Sequence, residues 1–143
     1  MFKKFFKKKN EDNVNNENIL ITALLVHAAK IDDNYTDVEK KIIKKALISL
    51  NRITPNEVEE LLKKAEKIEQ ESNQIVAFTR EIKKNSMEFR LKIIEILWKI
   101  VYSDASSDSY ESNLIRRVCG LLYISDRDSG EIKLKLKTKQ NKI

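Results

Sequence analysis

Asp32 and Glu39 stand seven residues apart, and so do Asp104 and Glu111. They bound two short polar stretches, "DDNYTDVE" at 32–39 and "DASSDSYE" at 104–111. In both, one apolar helical pattern stops at the Asp and another resumes at the Glu. Carboxylate oxygens are what hard divalent cations such as Ca²⁺ and Mg²⁺ take as ligands. Four carboxylates drawn to one spot would repel each other, and a cation would relieve them. The pattern is not an EF-hand loop, which wants alternating oxygen ligands, a Gly at the sixth position and a Glu at the twelfth. A second reading needs no ligand. Thr36-Asp37-Val38-Glu39 and Asp108-Ser109-Tyr110-Glu111 have the form of capping boxes, in which the Glu reaches back to the amide of the N-cap residue. Capping leaves Asp32 and Asp104 unexplained, because each ends a preceding helix, where negative charge is disfavoured. Both readings stay open on the residues alone.

Other chemistries find little material. Cys119 and His27 are each the only residue of their type, so no disulfide, no cysteine zinc site and no nucleophile–histidine pair with a local signature can be drawn. Two Gly and one Pro in 143 residues are too few for a Gly-rich phosphate loop or a sheet-rich fold. Cys119 reads as a small buried hydrophobe and His27 as a packed or rim residue. Trp98 and Tyr102 read as core and rim. The chain is expected not to be an enzyme.

The elements that must position the acids are all helical in period. The first is expected from about Asn18 to Lys30, with Ile21, Leu24, Leu25 and Ala28 on one face. The second runs from about Asp37 to Leu50 on Val38, Ile42, Ala46 and Leu50. The third opens at "TPNEVEELL", with Thr54 as N-cap, Pro55 at N1 and Glu57 at N3. Its face is Val58, Leu61, Leu62, Ala65 and Ile68. A shorter helix carries Ile75, Phe78, Thr79 and Ile82. Ser86 then caps a helix running to about Tyr102, apolar over most of its circumference and so expected at the centre. A sixth runs from about Ser109 to Leu122. "GEIKLKLKTKQ" alternates like a strand, yet Ile132 and Leu136 sit at i, i+4; with no partner strand it is read as a fraying helix.

The acidic stretches belong to a longer repeat. At an offset of 72 residues, Leu25 falls on Leu97, Asp32 on Asp104, Glu39 on Glu111 and Ile43 on Ile115. The pairs Lys44-Lys45 and Arg116-Arg117 coincide as well. The expected fold is therefore all-α, a single bundle of about seven helices built from two pseudo-symmetric helical-hairpin repeats. The divisions are a flexible leader at 1–18, a helical domain at 19–136 and a basic tail at 137–143.

This order of segments resembles the TerB-like tellurite-resistance family. "ALLVHAAKIDDNYTDVEKKII" and "LWKIVYSDASSDSYESNLIRRVCGLLYISD" look like its two halves, and "ITPNEVEELLKKAEK" looks like material between them. The resemblance implies a helical fold with an internal twofold and an acidic cluster proposed to bind metal ions. It also implies links to chemical-stress systems at the membrane and to domains beside the J-domain of membrane-anchored co-chaperones. By position, the paired acids carry over to Asp32, Glu39, Asp104 and Glu111. The family's Gly after each Asp is replaced by Asp33 and Ala105, and Ala does not share the ease of Gly in a left-handed turn.

Charge separates body from tails. Residues 1–9 carry five Lys and no acid, residues 131–143 carry +4, and the segment between them is left at −3 of the net +6. A nucleic-acid domain displays its basic residues on a folded face, so no specific nucleic acid is expected. "MFKKFFKKK" sets Phe2, Phe5 and Phe6 at helical spacing among Lys, a pattern that can lie in the interface of an anionic membrane. It has neither the apolar run nor the cleavage site of a secretory signal. A cytoplasmic protein, peripheral at the inner membrane through its tails, with a protein partner, is the expectation.

Overall fold

The computed structural model describes the backbone of residues 2–31, 35–50, 52–72, 74–103 and 109–141, and side chains over 16–31, 35–50, 52–72, 74–103 and 113–138. Among them are seven helices and no strand: α1 (Phe2–Ala29), α2 (Asp37–Ser49), α3 (Val58–Glu71), α4 (Ile75–Lys83), α5 (Met87–Tyr102), α6 (Ser109–Leu121) and α7 (Asp126–Asn141). None of these helices is long and apolar enough to cross a membrane.

Two helices form the centre. In α5 the buried side chains include Ile93, Ile94, Ile96, Leu97, Ile100 and Val101, so this helix is enclosed nearly all round, as its apolar circumference requires. The later half of α1 is enclosed to the same degree: Ile21, Ala23, Leu24, Leu25 and Val26 have no exposure. Thr22 is buried there too, because its hydroxyl donates to the Asn18 carbonyl at 2.7 Å. Around this pair, α1 packs against α2, α3 and α4, and α5 packs against α2, α4, α6 and α7. Each fully buried Leu or Ile contributes roughly 1.5–3 kcal/mol relative to an exposed one.

Several boundaries differ from the sequence reading. The first helix starts at Phe2 rather than near Asn18. No Gly or Pro interrupts residues 2–29, and each residue added to an existing helix gains one hydrogen bond without a new nucleation cost. The third helix starts at Val58, not at Pro55. Thr54 and Pro55 instead form a separate turn in which the Glu57 amide donates to the Thr54 carbonyl at 3.1 Å. The Ser86 cap is as expected: its hydroxyl accepts from the Phe89 amide at 3.2 Å. The alternating segment at 130–140 is helical, within α7. Ile132 and Leu136 pack against the core from it.

The face of α2 is turned by one residue from the expected one. Val38 is 58% exposed and the buried line is Glu39, Ile43, Ala46 and Leu47. A glutamate thus occupies the core side of the first turn.

Helices α2 and α6 each have 13 residues and begin 72 residues apart, at Asp37 and Ser109. They end alike. The Arg52 amide donates to the Leu47 carbonyl at 3.4 Å, and 72 residues on the Ile124 amide donates to the Cys119 carbonyl at 2.9 Å. The second closure is a Schellman motif with Tyr123 in the left-handed region (φ 57°), where Gly is the usual occupant.

Candidate functional site

The first acidic junction is built where α1 ends and α2 begins. Thr36, extended at φ −91° and ψ 163°, is the N-cap of α2. Its hydroxyl accepts from the Glu39 amide at 3.2 Å, and the Glu39 carboxylate oxygen Oε1 accepts from the Thr36 amide at 2.9 Å and hydroxyl at 3.0 Å. The capping box read in the sequence is therefore formed. It also explains how a carboxylate 3% exposed can sit on the core side of a helix: two donors meet it there, and the helix N-terminus favours its charge.

Asp32 and Asp104 lie outside the described residues. Glu111 is the third residue of α6, as Glu39 is the third of α2; its side chain lies outside the described residues, as does the Asp108 cap. The structure thus places one of the four expected ligands in full.

Near Tyr35, which precedes the cap, it places further charged groups that the sequence reading missed. Glu69, on α3 and 4% exposed, accepts from the Lys30 amine at 2.8 Å and faces Nδ1 of His27 at 3.2 Å. Glu66, one turn earlier, stands 3.9 Å from the Lys40 amine, and that amine lies 4.9 Å from the centre of the Tyr35 ring. His27 is thus the partner of a buried carboxylate, which agrees with its reading as a rim residue. A signal for Glu69 existed: it continues the spacing of Leu62 and Ala65 along α3, so a charge was due on the packed face. Among the described residues, no group of three or more His, Cys, Asp or Glu stands close enough to hold a metal ion.

Tyr35 reports the electrostatics of this end. Among the described residues its buried hydroxyl makes no hydrogen bond; Glu66 stands near it without bonding geometry. Burial first, then the negative charges of Glu66, Glu39 and Glu69, push its pKa well above the ordinary phenol value. The folded state therefore holds this proton more tightly than the unfolded chain. The stability this gives is fully present below the free phenol pKa of about 10 and is lost as pH rises beyond it. Tyr35→Phe is expected to match or exceed the native stability at pH 7, because it removes a buried unpaired hydroxyl. It is also expected to flatten the loss of stability above pH ~10. Urea unfolding at pH 7 and at alkaline pH checks this; parallel curves for the two proteins would show that Tyr35 is not the titrating group.

Cys119 is buried on α6, and burial pushes its thiol pKa up. That lowers its thiolate character at neutral pH. Trp98 donates from Nε1 to the Ser129 hydroxyl at 3.1 Å, pinning α7 to α5.

Compared with known protein families, residues 18–134 match the model of the family described as tellurite resistance protein TerB. No curated protein and no solved structure matches the chain.

Proposed function

Because the chain belongs to the family of tellurite resistance protein TerB, we propose that it acts as a non-catalytic module of a tellurite or chemical-stress response, holding one divalent cation between its two acidic junctions. Asp32 and Glu39 supply oxygens from the first junction, and Asp104 and Glu111 from the second. The cation, Ca²⁺ or Mg²⁺ by the hardness of the donors, screens the repulsion among these carboxylates and locks the α1–α2 and α5–α6 hairpins together. With the cation in place, the paired junctions offer a fixed surface to a protein partner. The basic termini add contact with an anionic membrane.

The observation that carries this reading is the state of Glu39. Its carboxylate is buried and oriented through Oε1 by the Thr36 cap, at the end of the fold where Glu66 and Glu69 join it in acting on Tyr35. Ligating carboxylates are commonly held by hydrogen bonds of this kind. The matching position of Glu111 in α6 supports a second, equivalent donor. Capping and ligation are then two uses of one side chain.

Thermal melting of the full chain with Ca²⁺, Mg²⁺, Zn²⁺ or EDTA tests the proposal. A ligand at ~100 times its dissociation constant adds ~2.7 kcal/mol of stability, which moves the midpoint by several degrees for a chain of this size. Asp32→Asn and Asp104→Asn should each remove most of the shift. If no metal moves the midpoint, the junctions serve only to cap helices and the module works by protein contact alone.

A further inference from the structure

Helices α5 and α7 leave an open groove between them, with a cavity of about 350 Å³. Leu91 and Ile132, both half-buried, give it apolar side chains. Glu88, Glu95, Asp128 and Glu131 line it with carboxylates, against only Lys92 and Lys135. The carboxylates are not tied up. Glu88, Glu95 and Glu131 meet Lys92, Lys99 and Arg127 only in exposed i, i+4 pairs at 3.6–3.8 Å, and such pairs exchange readily for better partners. The groove therefore suits a short helix with apolar residues on one stripe and lysines beside it.

The chain itself carries that helix. Residues 2–9 open α1 and hold Phe2, Phe5 and Phe6 at the spacing of one helical stripe, with five Lys and no acid. The lengths agree: Phe2–Lys9, Glu88–Glu95 and Asp128–Lys135 each span seven steps, about 11 Å at the helical rise. Phe2 also lies 16 residues before Asn18, the first buried residue among the described side chains, or about 24 Å along a continuous helix. That exceeds the ~13 Å radius of gyration of a domain this size, a length sufficient for the segment to extend to a second molecule without a break in α1. We propose that residues 2–9 of one copy dock in the α5–α7 groove of a second copy, Phe on Leu91 and Ile132, Lys on the four carboxylates. An anionic membrane competes for the same Phe and Lys residues, but the groove carboxylates would be repelled by it.

Sedimentation equilibrium of the full chain, at low salt and over a range of concentrations, tests this. Three variants are compared: a reversed groove (Glu95→Lys with Glu131→Lys), a reversed arm (Lys3, Lys4, Lys7 and Lys8→Glu), and both sets in one chain. The native chain should self-associate, and either reversal should weaken association about tenfold or more, ~1.4 kcal/mol per tenfold. The combined chain should associate again, since the charges are complementary once more. A milder groove (Glu95→Gln with Glu131→Gln) should give an intermediate result and guards against misfolding, with melting as the control. A native chain that stays monomeric throughout overturns the proposal. So does self-association indifferent to the groove substitutions, or arm-dependent pelleting with phosphatidylserine vesicles by a chain that never self-associates.

Discussion

Leu97→Ala and Leu25→Ala are each expected to cost about 2–5 kcal/mol of stability. The two leucines stand 72 residues apart and neither has any exposure. Leu97 sits in α5 among Ile93, Ile94 and Ile100, and Leu25 sits in α1 among Ile21 and Leu24, all buried. Truncation removes the transfer energy of the lost methyl groups and leaves a cavity that two central, enclosed helices cannot close by moving inward. The measurement is urea unfolding, with the midpoint shift converted at constant slope. Near-equal losses are expected, because the two positions share residue type, exposure and a place in a central helix. A Leu25 variant that loses less than half as much as the Leu97 variant would show that α1 is only a peripheral wall.

Arg90→Met is the second large effect, at about 2–3 kcal/mol, the scale of charged hydrogen bonds left unmade after allowance for partial exposure. The guanidinium of Arg90, from the first turn of α5, gathers the chain ends of two other helices. Nη2 donates to the Lys83 carbonyl at 2.9 Å, Nε to the Asn85 carbonyl at 3.2 Å, and Nη1 to the Leu122 carbonyl at 3.2 Å. These carbonyls belong to the ends of α4 and α6, which helix geometry leaves without partners, and the cation also suits the negative ends of both helices. Met keeps the stem volume and removes all donors. Arg90→Lys should recover only part of the loss, because an ammonium is a point donor and cannot span three carbonyls as a planar fork does. Full recovery by Lys would mean that charge alone matters at this corner.

Much of this fold was readable from residue spacing. The enclosure of α5 followed from apolar residues around its whole circumference, and Ser86 marked its start. The offset that aligns Ile43 with Ile115, both buried, also separates the starts of α2 and α6. What stayed hidden has identifiable physical causes. Periodicity put Val38 on the core face of α2, because apolar spacing gives no weight to a glutamate; with Thr36 donating to it, Glu39 is the one that turns inward. Glu69 was missed for the same reason, its partners Lys30 and His27 lying 39 and 42 residues away in the chain. The start of α3 was set too early because Thr54 and Pro55 carry a start signal that a single turn can also use. The start of α1 was set too late because a polar sequence without Gly or Pro looks the same whether or not a packed helix continues into it. Arg90 gave no signal at all: its three partners are backbone carbonyls, which no side-chain pattern reveals.

At the candidate site the Thr36–Glu39 cap was legible, while the long-range pairs of Glu69 beside it were not. Whether four acids serve one ion is a question of stoichiometry, and calorimetric titration of the full chain with Ca²⁺ and with Mg²⁺ answers it most directly. The account predicts a single binding event per chain with one of these ions, weakened about tenfold or more, ~1.4 kcal/mol per tenfold, by Asp32→Asn and equally by Asp104→Asn. Two separate events, each abolished by only one of the substitutions, would contradict a site shared between the junctions, and heats indistinguishable from dilution with both ions would contradict cation binding itself.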